Sequence, residues 1–189
     1  MYVPYFILFT LITITKTTST DFYSLSAVDI RGNEVSLTKY RGKVSLVTNV
    51  ASECGYTDSH YKSLVKLHGI LNRHQKFTIL AFPCNQFGNQ EPATDYQIEL
   101  FIRTQYKAEF PMFSKIDVIG SNASVVFKFL SEQANQAPDW NFWKYLVDHR
   151  GKVVGAWGPQ TPVEDIFDVV KTVVEVAEAM RDEKKKKEL

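Results

Sequence analysis

Two β-branched apolar runs, separated by a stretch of helical periodicity, constrain this chain more than any other feature. Val44 to Val50 reads VSLVTNV and Phe77 to Phe82 reads FTILAF, the second stopped by Pro83. Neither alternates cleanly between apolar and polar residues, so each reads as a strand covered on both faces. From Thr57 onward, Tyr61, Leu64, Val65, Leu67, His68 and Leu71 recur at helical spacing. Strand, helix and strand over about 40 residues make a βαβ unit, with parallel strands and a right-handed crossover.

The rest of the chain fits around that unit. Val35 to Leu37 begins a short extended segment after the turn Arg31-Gly32-Asn33. Tyr96 to Tyr106 reads as a helix with Ile98, Phe101 and Ile102 on one face, and Val125 to Leu130 opens another. Asn141–Val147 and Lys152–Trp157 flank Asp148-His149-Arg150-Gly151, a β-hairpin with glycine at the turn. Val163 to Met180 is an amphipathic helix, apolar at Val163, Ile166, Phe167, Val170, Val173, Val174 and Ala177. There is no internal repeat and no Pro/Gly/Ser-rich linker. A βαβ half, a hairpin and a terminal helix predict an α/β sandwich of thioredoxin-like order, with a central mixed sheet flanked by helices. One domain over 21–180 is expected, followed by a basic tail at 181–189.

Composition narrows the function. A chain of 189 residues allows one ordinary domain. With 44% hydrophobic and 13% aromatic residues it is too rich for a disordered chain. The balance of 22 basic against 21 acidic residues excludes a global nucleic-acid footprint. Two cysteines, Cys54 and Cys84, exclude a disulfide-dense scaffold and a four-cysteine zinc site. His60, His68, His74 and His149 lack metal-ligand spacing, so no metal is expected.

The ends point to the secretory pathway. Tyr2 to Thr15 is uncharged and apolar, followed by Lys16 and TTST. It falls short of the roughly 20 apolar residues of a membrane span. Residues 1–20 therefore read as a signal peptide cleaved near Thr17 to Thr20, with a retained membrane anchor as the alternative. Asn122-Ala123-Ser124 is an N-glycosylation sequon, so Asn122 is a candidate glycan site. The chain ends in RDEKKKKEL. That is either a solvated helix end, whose lysines suit the macrodipole, or a retention signal of the K-D-E-L type with lysine in place of the acidic residue. The endoplasmic reticulum lumen or the exterior is the expected location.

Chemistry centres on Cys54. It follows a buried strand and precedes a helix, where unpaired backbone N–H groups and the helix dipole favour a thiolate. The local string is Glu53-Cys54-Gly55-Tyr56-Thr57, with Thr57 where a dithiol oxidoreductase places its second cysteine. The competing reading of a lone cysteine is a small buried hydrophobe. Cys84 ends the next strand. Parallel strands bring both cysteines to the carboxyl edge of the sheet, where α/β folds carry their sites. A disulfide needs Cα atoms within ~6.8 Å, so pairing requires adjacent strands or a moving loop.

Three segments carry a resemblance. NVASECGYT (Asn49 to Thr57), FPCNQFGNQEP (Phe82 to Pro92) and WNFWKYLV (Trp140 to Val147) resemble the three signatures of the glutathione peroxidases, in that family's order. The resemblance runs from Phe22 to about Val174. With FPMFSKI and the basic tail it is strongest to the cysteine-type members of the endoplasmic reticulum. It implies a thioredoxin-like fold, Cys54 as the peroxidatic residue, and Gln90, Trp140 and Asn141 as the rest of a catalytic tetrad. Two amides and an indole N–H are apt there, since they donate hydrogen bonds without titrating.

Thioredoxin-linked members carry a resolving cysteine in the helix before a K-A-E-F-P string. Arg103 stands near that place here, which leaves Cys84 as the internal resolving candidate. The segment from Lys128 to Trp140 lacks the insert of tetrameric members, so a monomer is expected. The resemblance thus implies a thiol peroxidase that reduces hydrogen peroxide or lipid hydroperoxides through a sulfenic acid at Cys54. Its reductant would be glutathione or a protein thiol such as protein disulfide isomerase, with no cofactor. The alternative is a thiol-based redox sensor or relay that oxidises partner proteins with little turnover.

Overall fold

A computed structural model describes residues 20–187. All but the last residue of the expected leader, and Glu188 and Leu189 of the tail, lie outside the described residues.

The βαβ unit is present. Strand β3 (Val44–Val50) and strand β4 (Phe77–Pro83) are buried at all seven positions each. They pair in parallel, from Val44 opposite Phe77 to Val50 opposite Pro83. Helix α1 (Thr57–Leu71) makes the crossover. Strand β5 (Lys144–Val147) lies antiparallel on the other side of β3, and β6 (Val153–Trp157) lies antiparallel to β5. The sheet order is β4-β3-β5-β6, which is mixed and thioredoxin-like. Ahead of it, β1 (Ser26–Val28) and β2 (Glu34–Ser36) form a small separate hairpin. Gly32 supplies the left-handed residue of its turn at φ +86°.

Helices cover both faces. Helix α2 (Asp95–Gln105) starts at a capping box of Thr94 and Gln97. Helix α3 (Val125–Ala134) is capped by the Ser124 hydroxyl and ends at left-handed Asn135. Helix α4 (Phe167–Lys187) follows a 3₁₀ turn at Glu164–Ile166. Because strand side chains alternate, the sheet has two cores. Leu46, Val50, Ile79, Ala81 and Leu146 pack with α1, α2 and α4 through Tyr61, Leu64, Ile98, Ile102, Val170 and Val174. Val47, Leu80, Phe82, Tyr145 and Val147 pack with α3 through Phe127 and Leu130, and with Phe22, Tyr23 and Phe113.

Two expectations shift and one strand went unread. The strand expected from Asn141 begins at Lys144, because Phe142 sits in the left-handed region at φ +65°. The terminal helix begins with the 3₁₀ turn and continues past Met180 to Lys187, so the basic tail's described backbone is helical. Strand β1 is three half-exposed residues, too short to leave a periodic signal.

Candidate active site

Cys54 lies in the turn between β3 and α1, 7% exposed. Thr57, at the position of a dithiol enzyme's second cysteine, knits this turn. Its hydroxyl accepts from the Cys54 amide at 3.0 Å and donates to the Ala51 carbonyl at 2.7 Å. Its own amide donates to the Cys54 carbonyl at 3.0 Å.

The loop after β4 comes up beside this turn. The Glu53 amide donates to the Gln90 carbonyl at 3.0 Å, joining the two segments one residue before the thiol. Gly88 and Asn89 both have positive φ, and the Gln90 side chain folds back over Gly88. A methyl on Gly88 would meet that side chain at 3.4 Å.

The third segment closes on the second. The buried Asn141 amide donates from Nδ2 to Gln90 Oε1 at 3.1 Å and to the Phe87 carbonyl at 3.4 Å. With Oε1 occupied, Gln90 keeps its Nε2 hydrogens as donors. Trp140 is 37% exposed, its ring 6.1 Å from that of Phe87. Cys54, Gln90, Trp140 and Asn141 thus lie on three segments tied to one another. One role differs from expectation: Asn141 spends its Nδ2 hydrogens on orienting Gln90 and the 87–90 loop.

Cys84 stands apart. It continues the face of Leu80 and Phe82 and packs in the α3-side core, whereas Cys54 packs in the core on the opposite face. Both thiols are free. Burial pushes the Cys84 thiol up to about 11, against nearby backbone amides of Gln86 and Val118 that lower it. Asn122 is exposed on the loop before α3.

Three contributors escaped the sequence reading. Buried Asn49 holds the 140–143 segment. Its Nδ2 donates to the Trp140 carbonyl and its Oδ1 accepts from the Trp143 amide, both at 3.0 Å. Its backbone carbonyl accepts from the Phe142 amide at 2.7 Å. Lys144, fully buried, donates to the carbonyls of Phe142 and Gly158 at 2.8 and 2.9 Å. Burial draws its pKa down to about 7. Glu91, next to Gln90 and fully buried, completes no hydrogen bond through either carboxyl oxygen. Burial raises its pKa to about 7, although Ser52 and Lys115 lie close enough to lower it. For Asn49 in VSLVTNV and Lys144 in KYLV the available signal was a polar residue inside a buried strand; Glu91 stands among the polar residues of NQEP and left no such signal.

With these segments joined, comparison with known proteins is decisive. The glutathione peroxidase family model matches residues 22–131. The chain belongs to the glutathione peroxidase family. Glutathione peroxidase 7 of Mus musculus is 59% identical over 146 residues, covering 77% of this chain and 78% of that protein. Probable glutathione peroxidase 8 of Homo sapiens is 46% identical over 157 residues, covering 81% and 75%. Among solved structures, that of Trgpx in apo form superposes with a TM-score of 0.70 at 34% identity, covering 84% of this chain and 97% of the other. This glutathione peroxidase is therefore a peroxidase, an oxidoreductase that consumes a peroxide at the expense of a thiol reductant. No helix among the described residues is long and apolar enough to cross a membrane.

Proposed function

We propose that Cys54 is the peroxidatic residue and that Gln90, Trp140 and Asn141 complete its site. The observation that carries this reading is the tie from Glu53 N–H to Gln90 O, and from Gln90 Oε1 to Asn141. It brings three segments distant in sequence to the carboxyl end of β3, beside the α1 N-terminus. The Cys54 thiolate attacks one oxygen of hydrogen peroxide or a lipid hydroperoxide. An S–O bond forms as the O–O bond breaks, and the leaving alkoxide or hydroxide takes up a proton. Gln90 Nε2 and the Trp140 indole are the neutral donors available to the developing charge.

A thiol then attacks the Cys54 sulfenic acid, forming a disulfide and releasing water. That thiol is glutathione, a protein thiol such as that of a protein disulfide isomerase, or Cys84 after its loop rearranges. The buried position of Cys84 also supports the second reading, a redox sensor that oxidises and then waits for a partner thiol. Entry into the secretory pathway, with Asn122 glycosylated and the chain a monomer, completes the proposal. Secretion from a eukaryotic cell with a new N-terminus near Thr20 would support that route, and a cytosolic chain beginning at Met1 would refute it.

Cys54→Ser is expected to abolish peroxide turnover at an unchanged melting temperature. Full turnover in that variant would remove Cys54 from the chemistry. Turnover of the wild type that stops near one equivalent, with glutathione or protein disulfide isomerase in excess, would favour the sensor.

A further inference from the structure

Behind the site lies a buried pair outside the proposed tetrad. Lys144 Nζ is 3.3 Å from His60 Nε2, and His60 Nδ1 is 3.2 Å from the Tyr56 carbonyl. An ammonium group only donates, so beside a charged Lys144 the Nε2 atom must accept. The imidazole proton then sits on Nδ1 and donates to Tyr56 O. All three Lys144 hydrogens are used: Phe142 O, Gly158 O and His60 Nε2. The Tyr56 carbonyl caps the start of α1, two residues after Cys54, and also accepts from the His60 amide at 3.0 Å. Phe142 follows Asn141 directly and holds a left-handed φ that a bulky residue adopts only under constraint. One chain of polar contacts thus joins the turn of Cys54 to the segment of Trp140 and Asn141.

We propose that His60 and Lys144 are positioning residues forming a proton-sensitive strut between these two halves of the site, and that loss of one proton from the pair releases the Tyr56 carbonyl and changes the reactivity of Cys54. The exchange balances. Lys144 passes a proton to His60 Nε2, and His60 Nδ1 gives its own to solvent. Lys144 as an amine keeps two N–H donors for the carbonyls of Phe142 and Gly158, and its lone pair accepts from Nε2–H. Nδ1 is then an acceptor and no longer holds Tyr56 O. Ser59 Oγ lies 3.4 Å from Nδ1 and 3.2 Å from Tyr56 O, so its hydrogen can turn from the carbonyl to the ring.

The surroundings suit a switch near neutrality. Burial lowers Lys144 to about 7, and burial and the Lys144 charge hold His60 down at about 4. The ring therefore changes tautomer without becoming charged. The other groups facing His60 are the uncharged Phe142 ring 5.0 Å away, the Tyr56 ring 5.4 Å away at the start of its own helix, the Pro159 carbonyl, and Glu164 from the 3₁₀ turn. Glu164 is held ionised by the Ser63 hydroxyl, with Lys66 nearby, so its charge is constant across this window.

This inference rests on Cys54 being the reacting residue, but its first readout does not. The ¹³C shifts of labelled histidine report the tautomer directly. In the wild type the His60 signal is expected to cross from the Nδ1–H to the Nε2–H form around pH 7, and in Lys144→Met to show no crossing. The second readout is the rate of Cys54 alkylation by iodoacetamide across neutrality, where Lys144→Met and His60→Phe should both lose an inflection seen in the wild type. His60→Phe keeps the ring packing on Phe142 and Tyr56, and it decides the matter if Lys144→Met does not fold. A tautomer that stays constant across neutrality, or variants whose alkylation profiles overlay the wild type, would overturn the proposal. Failure of Cys54→Ser to abolish turnover would instead sink the peroxidatic assignment and leave the tautomer result standing.

Discussion

Replacing Asn49 with alanine tests how the site is held together. The substitution removes two hydrogen bonds of 3.0 Å each, to the Trp140 carbonyl and from the Trp143 amide. Alanine cannot reach either group. A donor or acceptor left unpaired costs about 1–3 kcal/mol, so the pair should cost about 3 kcal/mol in all, allowing for the partial exposure of Trp140. For a domain of this size that lowers the melting temperature by roughly 6–12 °C. The kinetic effect should be larger than the stability effect suggests, because the freed segment carries Trp140 and Asn141. A misplacement of about 1 Å can cost on the order of 100-fold in rate. The assay is thermal unfolding together with the second-order rate of peroxide consumption at saturating reductant. Thr78→Ala is the control: it too deletes a buried polar group from the sheet, a hydroxyl with only a 3.5 Å contact to its neighbour's carbonyl. An Asn49→Ala variant with the wild-type melting temperature and rate would refute the reasoning, and so would a Thr78→Ala variant equally impaired in rate.

Trp140→Phe deletes the indole N–H and keeps most of a ring that is 37% exposed, so the second-order rate with peroxide should fall while the melting temperature holds. An unchanged rate would remove Trp140 from the site. Glu91→Gln should change the pH dependence of stability. The folded carboxyl titrates at about 7 and the unfolded one near 4.5, so the native state binds more protons between them and wild-type stability falls as pH rises through that window. Urea denaturation at pH values below and above it should find the variant gaining about 3 kcal/mol on the wild type as pH rises. A constant difference would mean that the carboxyl is not buried as described.

What could be read from the sequence was what burial alone dictates. Strands β3 and β4 are covered on both faces, so their limits follow from apolar composition, and the α1 stripe follows from its period. Gln90 and Asn141 enter the proposed site only through the resemblance, since a glutamine in a loop and an asparagine in a turn carry no local signal; what the structure adds is the hydrogen bond between them. Phe142 was misread as strand because its left-handed backbone is imposed from outside. Its amide is held by Asn49 and its carbonyl by Lys144, contacts that join residues 93 and two positions apart and are invisible to local propensity. The orienting role of Asn141 was hidden for the same reason: it depends on which acceptor, Gln90 Oε1, the fold sets in front of it.

The two cysteines show where topology and side-chain direction part company. Adjacent parallel strands do bring Cys54 and Cys84 to one sheet edge, and the Cys84 amide even donates to the Val50 carbonyl at 3.0 Å. Direction then separates them, because Cys84 extends the alternation of Leu80 and Phe82 into the core facing α3. Gln86 latches it there. The Gln86 amide donates to Cys84 Sγ at 3.5 Å, and its Oε1 accepts from the thiol at 3.7 Å and from the amides of Val118 and Ile119 at 2.7 and 3.0 Å. Its Nε2 donates to the Ile119 carbonyl at 3.0 Å. A disulfide between the two cysteines requires this latch to open and a thiol raised to about 11 to ionise, and both requirements slow the internal attack on an oxidised Cys54. In the wild type, without added thiol, the Cys54 sulfenic acid should therefore live long enough to be trapped by dimedone before any 54–84 bond forms. Gln86→Ala cuts the latch, frees the segment after Cys84 and should shorten that lifetime, with the disulfide appearing sooner by mass spectrometry. A wild type that passes to the disulfide too fast to trap, or a Gln86→Ala variant with an unchanged sulfenic lifetime, would show that the latch does not control resolution.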